Sequence, residues 1–329
     1  MSQSALPSLS VLLPTRDDFS TIRQTVRALS RQTVCDSLEL VIIAPTEHID
    51  VPADEVSMFA STRVVYGGRV RTSNHSRCRG VRAASAPFVV LSEDHSSPEP
   101  GWAAAIIAAH AEGFAVVGPV MINANPNSAM SWANLLLEYG PWLDGEVRRE
   151  TDHLPGHNSS YYRAILMSYG DNLERMLENE TVIQLDIASR GHRLLLEPGA
   201  KTRHLNFSRI RDSIPMRFNC GRSFAGHRVI GWSRSKRIAF AIGAPLIPLV
   251  RLTRVLRMVR ASDRYSALFP RIIPMLALAV VADGLGEMVG YILGPGGAPD
   301  FLGTIEFNRV RSLNDTDQAD YWKMIGDSA

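Results

Sequence analysis

Glu93, Asp94 and His95 follow one another directly after the apolar run Phe88–Leu91. Two carboxylates and an imidazole at the mouth of a buried strand are residue types that take a divalent cation. In a loop the first and third of three residues can converge on one ion; oxygen ligands suit Mg2+ or Mn2+, and an imidazole favours Mn2+ or softer ions. The triplet is equally the composition of a solvated turn. Its position decides how it is read, because in open α/β sheets ligands collect beyond the carboxyl ends of the strands.

The surrounding pattern supplies such a sheet. Short apolar runs at Leu9–Leu13, Leu38–Ile43, Arg63–Tyr66, Phe88–Leu91 and Ala115–Val120 alternate with helix-like stretches, which predicts an α/β domain. After Pro14 stops the first strand, Ser20 or Thr21 is expected to cap a helix carrying Ile22, Val26 and Leu29 on one face. A second helix is expected from Gly101-Trp102 to His110. Residues 121–170 lack a clear period and read as a long loop layer. Leu173–Arg190 reads as one helix, and Arg193–Leu196 as a last strand before Pro198.

The chain has 329 residues, is 45% apolar and 21% charged, and carries a net charge of +2, which excludes disorder, collagen and coiled coil. Cys35, Cys78 and Cys220 are scattered with no C-x-x-C pair, so neither a disulfide framework nor a zinc ribbon is expected, and a reducing compartment fits. The start has no basic region and only a five-residue apolar run, so neither a signal peptide nor an anchor is expected there. The small net charge hides an asymmetry: −7 over residues 1–200, +13 over 201–260 and −4 over 261–329. So dense a basic block beside apolar stretches points to an anionic surface, membrane or polyphosphate.

Within and after that block, Ile238–Val250 is too short to span a bilayer and is interrupted by Pro245 and Pro248. Leu252, Val255, Leu256 and Val259 then share one helical arc, with Arg251, Arg254, Arg257 and Arg260 outside it. A basic amphipathic helix of this kind is expected to lie in the membrane interface. Ile272–Leu293 is long enough to cross, yet Asp283 and Glu287 make a lone span costly. With Gly286 and Gly290 they form a stripe expected to pack on protein, and the arginines of the preceding helix are expected to neutralise them, giving a hairpin that dips into one leaflet. The other reading of these helices is the buried core of a soluble subdomain. Nucleic acid is not expected as a partner, since apolar helices after a basic block serve it no purpose.

Five blocks, SVLLPTRDDFSTIRQTVRALSRQT, LELVII, VVLSEDHSSPEPGW, LPGHNSSYYR and ENETVIQLDIASRGHRLLLEPGAKTRH, follow one another in the order and spacing of a known family. Together, over residues 9–206, they resemble the family 2 glycosyltransferases, implying a GT-A (Rossmann-like, nucleotide-diphospho-sugar transferase) α/β domain followed here by amphipathic and apolar C-terminal helices. The resemblance puts Pro14, Thr15 and Arg16 at the nucleotide-sugar site, with Arg77, Glu93 and Asp94. It lays the family's metal motif D-x-D on Glu93-Asp94-His95, with Glu93 and His95 as ligands of Mn2+ or Mg2+, and His204 as a further ligand. Glu180 falls at the catalytic base, close to Glu178. His157, Asn158 and Tyr161 fall where the family lines its acceptor pocket, although a Gly-bounded turn reads the same way. Trp132, Tyr139 and Trp142 offer faces for a sugar ring or for a core. Arg69, Arg71, Arg77 and Arg79 are candidates for the diphosphate or a solvated face. The sequence departs from the family at Ala44-Pro45-Thr46, where an Asp-Asp pair usually ends the second strand, at Asp186, which replaces an arginine, and at Cys78.

The resulting expectation is an inverting, metal-dependent glycosyltransferase taking a nucleotide-sugar donor and a glycan or lipid-linked acceptor. It would work at the cytoplasmic face of a membrane, as a peripheral or monotopic protein on an anionic surface. Its organisation is expected as a tail over 1–8, the transferase domain over 9–206, a helical membrane-associating region over 207–299 and a tail over 300–329. The rival is a non-catalytic scaffold of the same shape. A sugar nucleotidyltransferase needs a glycine-rich loop after the first strand, which PTRDDFS lacks.

Overall fold

In β1 (Leu9–Pro14) every residue is buried; Leu9, Val11 and Leu13 contribute to one apolar core and Leu12 to the other. That two-residue alternation, buried on both sides, is what a strand sandwiched between helices requires. The computed structural model describes residues 6–46, 48–68, 73–307 and 309–326, so Arg69 and Arg71 lie outside the described residues. Two compact units emerge, one of Met1–Ile122 with Pro141–His204 and one of Asn123–Gly140 with Leu205–Ala329.

The first unit is built on a single sheet. Its strands are β1, β2 (Leu38–Ala44), β3 (Ser61–Tyr66), β4 (Phe88–Leu91), β5 (Ser96–Pro98), β6 (Val116–Asn123), β7 (Arg149–Glu150), β8 (Ser160–Tyr162) and β9 (Leu194–His204). They run in the order β3-β2-β1-β4-β8-β6-β9-β5, with β7 on β9. The β3-β2-β1-β4 half is parallel. From β4 onward β8 runs antiparallel to β4 and β6, and β9 antiparallel to β5 and β7. One face carries the Phe19–Ser30 and Trp102–Ala111 helices through Ile22, Val26, Leu29, Trp102 and Ile106. The other carries Ser73–Ala83 and Glu180–Ser189 through Val81, Ile183 and Ile187.

Several elements differ from expectation for local reasons. The first helix is capped by Asp18, whose side chain accepts from the Ser20 N–H at 2.8 Å, so Ser20 and Thr21 are already inside the helix. Residues 121–170 are not a loop layer: they supply β8 at the centre of the sheet and the helix Ala129–Tyr139 of the second unit. Leu173–Arg190 is not one helix. Asn179 starts a new one by accepting from the N–H groups of Thr181 and Val182 at 3.1 and 3.2 Å, which leaves Glu180 as its first residue. The last strand continues through Pro198 to His204.

The second unit is helical. Ile210–Arg228 and Phe269–Leu293 cross so closely that a Cβ on Gly286 would stand 1.9 Å from the Phe218 carbonyl oxygen, and one on Gly221 2.1 Å from that of Asp283. The expected stripe of Asp283, Gly286, Glu287 and Gly290 is indeed buried against protein. Arg251, on the helix Ile247–Ala261, pairs with both Asp283 and Glu287, as the hairpin reading requires. Burial pushes both carboxyls above the ordinary range, against the arginines. One expectation fails here: Val255 and Val259 of the proposed membrane-facing arc are buried within this unit. Residues 300–329 also hold more than a tail, with helices at Ala298–Ile305 and Asp315–Gly326.

The Gly286 crossing is open to a direct test. Gly286→Ala is expected to cost about 1–3 kcal/mol through overpacking against backbone. Gly243→Ala, where a Cβ meets open space, is expected to leave the melting temperature unchanged or slightly raised.

Candidate active site

Beyond β4 the chain makes a tight turn that sequence spacing alone does not reveal. The Ser92 N–H donates to Leu12 O at 3.0 Å, continuing the sheet for one residue. The Thr25 hydroxyl, from the first helix, donates to Ser96 O at 2.8 Å and lies within 3.3 Å of the Glu93 and Asp94 carbonyls. Thr25 thus ties the Glu93–Ser96 turn to the Phe19–Ser30 helix.

The turn buries Glu93 almost completely and surrounds it with donors. Its Oε2 accepts from Ser96 Oγ at 2.9 Å and from Asn158 Nδ2 at 2.8 Å. His157 Nδ1 stands 2.9 Å and His95 Nε2 3.5 Å from Oε1, and His204 Nε2 3.7 Å from Oε2. Burial opposes the charge on Glu93, yet His157, His95 and His204 overcome it and hold the carboxyl well below its usual range. Asn158 reaches this place with a φ of 62°, the one positive φ at a non-glycine among the described residues, a conformation asparagine tolerates better than most. Its own N–H donates to Leu91 O at 2.7 Å. It therefore holds Glu93 in place, where acceptor contact was expected.

Three of these groups fit a metal ion. Glu93, His95 and His204 each present a ligand atom within 4.8 Å of the others, and all three are buried. Asp94 Oδ1 accepts from His95 Nδ1 at 2.7 Å, which leaves Nε2 as the ring's lone-pair nitrogen. That Nε2 is buried without a hydrogen-bond partner, the condition of a ligand aimed at an ion. One carboxylate and two imidazoles favour Mn2+ over Mg2+. His204 arrives by strand pairing, because β5 and β9 register Ser96 against His204. Asp94, expected at the nucleotide, orients His95 in the structure.

A second group lies one imidazole away. His157 Nε2 is 3.8 Å from Glu180 Oε1, and the buried Arg77 contacts both Glu180 and His157 through its terminal nitrogens. Burial works against a charged His157, but Glu93 and Glu180 outweigh both burial and Arg77, and its pKa is raised to about 9. Burial likewise pushes Glu180 up, while His157 and Arg77 pull its carboxyl below the ordinary range. Arg77 is accordingly committed to Glu180 and His157, where contact with a diphosphate was expected. Behind Glu180 stands Gly156: a Cβ there would lie 3.1 Å from both the Cβ and Oε2 of Glu180.

The other expected residues fall outside this cluster. Pro14 is the buried end of β1. Thr15 is buried with its hydroxyl against Asp18 O at 2.8 Å and Thr21 Oγ1 at 2.7 Å, so it shapes the loop that carries the exposed Arg16. Tyr161 is buried and its hydroxyl accepts from Gln184 Nε2 at 2.9 Å. Trp132 belongs to the second unit, where its indole N–H donates to Pro126 O at 2.9 Å and its ring packs on Tyr265, so it serves as core.

No family model matches this chain, and no curated protein matches its sequence. Solved structures do. The mannosyltransferase PcManGT from Pyrobaculum calidifontis, in complex with GDP-Man and Mn2+, superposes with a TM-score of 0.51 over 86% of this chain and 87% of its own, at 15% identity. The fold is that of the GT-A glycosyltransferases. S. aureus TarS 1–349 is similar at a TM-score of 0.45 and 17% identity over 86% of this chain and 89% of that one. GalNAc-T7 with UDP, GalNAc and Mn2+ is similar at 0.45 and 16% identity, over 61% of this chain. This chain spans less than half of that one, 44%.

Mn2+ at a hundred times its Kd is expected to stabilise the protein by about 2.7 kcal/mol in thermal denaturation. Glu93→Gln and His204→Ala are expected to abolish that gain, and Asp94→Asn to weaken Mn2+ binding about 10–100-fold. In calorimetric titrations the affinity is expected to fall at lower pH, because the imidazole ligands must be deprotonated to bind.

Proposed function

We propose that this chain is an inverting glycosyltransferase, moving a sugar from a nucleotide-diphosphate donor to a lipid-linked or surface-glycan acceptor at the cytoplasmic face of a membrane. The observation that carries the reading is a pair of carboxylate groups on one GT-A scaffold: the buried Glu93 with His95 and His204, and, across His157, the half-buried, ionised Glu180. The order of the five sequence blocks and the fold neighbours support it.

In this reading Glu93, His95 and His204 hold a divalent ion, and Asp94 and Asn158 fix the first two in orientation. The bound ion would stabilise, as a Lewis acid, the negative charge that develops on the departing nucleoside diphosphate. Glu180 accepts the proton of the acceptor hydroxyl as its oxygen attacks the anomeric carbon in line, and a single displacement inverts that centre. Arg77 and His157 keep Glu180 ionised at neutral pH and locate its carboxylate. Gly156 leaves the space the carboxylate occupies. The membrane location draws support from the basic block over residues 201–260 and from two helices long and apolar enough to cross a bilayer, Arg234–Ala261 and Phe269–Leu293.

The scaffold reading rests on Ala44, fully buried at the end of β2 where the family usually places a carboxylate. A donor screen by nucleotide release, with and without Mn2+, decides between the two. The transferase is expected to release nucleotide only with Mn2+, and Glu180→Gln to lower kcat about 10²–10⁴-fold while the fold persists. Release from neither protein with any donor assigns the scaffold. Arg77→Gln removes a positive charge beside Glu180, so its carboxyl titrates higher, and the acid limb of the pH–rate profile is expected to move to higher pH.

A further inference from the structure

The helices of the second unit bury their expected apolar arc and expose a different one. On the stretch Arg234–Ala261, the side facing Phe269–Leu293 is occupied by Arg237, which donates to Tyr291 O and Ile292 O at 2.8 Å, by Pro248 beside Gly284, by Arg251, and by the buried Val255. At about 100° per residue, Ile238, Ile242, Leu246, Leu249 and Val250 lie on the opposite side. All five are exposed, Ile242 by 75% and Val250 by 65%. Farther along, the same side carries the exposed Arg254, Arg257 and Arg260, and before it stand the exposed Arg234 and Lys236. The face therefore reads basic, apolar, basic along its axis. Phe269–Leu293 shows the same division across its girth: Asp283 and Glu287 turn inward to Arg251, while Val281, Leu285 and Ile292 are exposed.

We infer that this exposed face, residues 238–250 with the basic residues at its two ends, is the surface that inserts into an anionic membrane leaflet, lying in its plane. The inference rests on the membrane location proposed above and replaces the arc Leu252–Val259 as the inserting side. Length and charge argue for it together. The apolar stretch of 238–250 covers about 20 Å along a helical path, against about 30 Å of bilayer hydrocarbon. Basic residues at both of its ends place both ends at headgroup level, and a spanning orientation would send one cluster through the hydrocarbon. Lys236 stands 4.0 Å over the ring of Trp232, an aromatic and ammonium pair suited to the membrane–water boundary. The occupant is anionic because the residues exposed at the two ends of the apolar stretch, Arg234 and Lys236 before it and Arg254, Arg257 and Arg260 after it, are all basic. The Arg251 pairs leave no carboxylate of Asp283 or Glu287 on the apolar face.

The test uses the full chain and vesicles of phosphatidylcholine, alone or with phosphatidylglycerol. The wild type is expected to float with the phosphatidylglycerol vesicles and not with the neutral ones. Ile242→Ser/Leu246→Ser/Leu249→Ser and, separately, Arg254→Gln/Arg257→Gln are each expected to weaken binding by about tenfold or more at an unchanged melting temperature. With Cys35, Cys78 and Cys220 replaced by serine, single cysteines at Ser235→Cys and Ser266→Cys, flanking the apolar stretch, are both expected to react with an impermeant maleimide added outside sealed vesicles. Binding that survives both variants overturns the face while leaving the membrane location standing, and so does a triple-serine variant that only loses a dimer. Labelling of one cysteine but not the other overturns the in-plane geometry. Equal binding to neutral vesicles overturns the anionic assignment, and no vesicle binding by the wild type overturns the membrane location itself together with the face.

Discussion

The buried carboxylate of Glu93 sets the terms for everything around it. A charge removed from water is tolerated only when it is paired and fully hydrogen-bonded. Here the compensation comes from five side chains: Ser96 and His95 from the same turn and, from distant parts of the chain, His157 and Asn158 in the loop before β8 and His204 at the end of β9. Each imposes a structural demand of its own. Asn158 must adopt a left-handed backbone, His95 must be held by Asp94, and His157 must be charged between two carboxylates. That last demand passes the constraint on to Glu180 and Arg77, so the two halves of the site form one electrostatic unit.

The same logic, with different residues, organises the helical unit. Asp283 and Glu287 are buried because glycines at 221, 286 and 290 draw two helices into backbone contact, and Arg251 is drawn in to answer them. Arg217 and Arg251 act on Asp283, and Arg251 and Arg228 on Glu287, yet burial outweighs them and raises both carboxyls, whereas at Glu93 the neighbouring imidazoles outweigh burial.

Much of this was legible in the residues. The alternation of apolar runs marked the four parallel strands within a residue or two, and the position of Glu93-Asp94-His95 after a buried strand marked it as a candidate site. The inward stripe at Asp283, Gly286, Glu287 and Gly290 was readable from helical spacing alone. What escaped was non-local. β8 has only three residues and no period to detect, yet it holds the middle of the sheet because its neighbours supply both hydrogen-bonded edges. The break before Glu180 depends on a single capping side chain, Asn179. Thr25 gave no signal, since a threonine on a helix face points to nothing until the turn it holds is known. The ion pairs of Arg77 and the packing of Trp132 escaped for the same reason, because both depend on partners far away in sequence.

The pairing of β5 with β9 has a consequence for the order in which the protein acquires its chemistry. β5 is three residues long, and it alone aligns Ser96 with His204. A slip of one residue would turn His204 to the other face of the strand and offer Arg203 or Leu205 in its place. The partners are more than one hundred positions apart, among the slow contacts to form in a folding chain. His204 joins Glu93 and His95 only where β5 and β9 pair in this register, so that ion affinity reports whether the sheet has closed correctly.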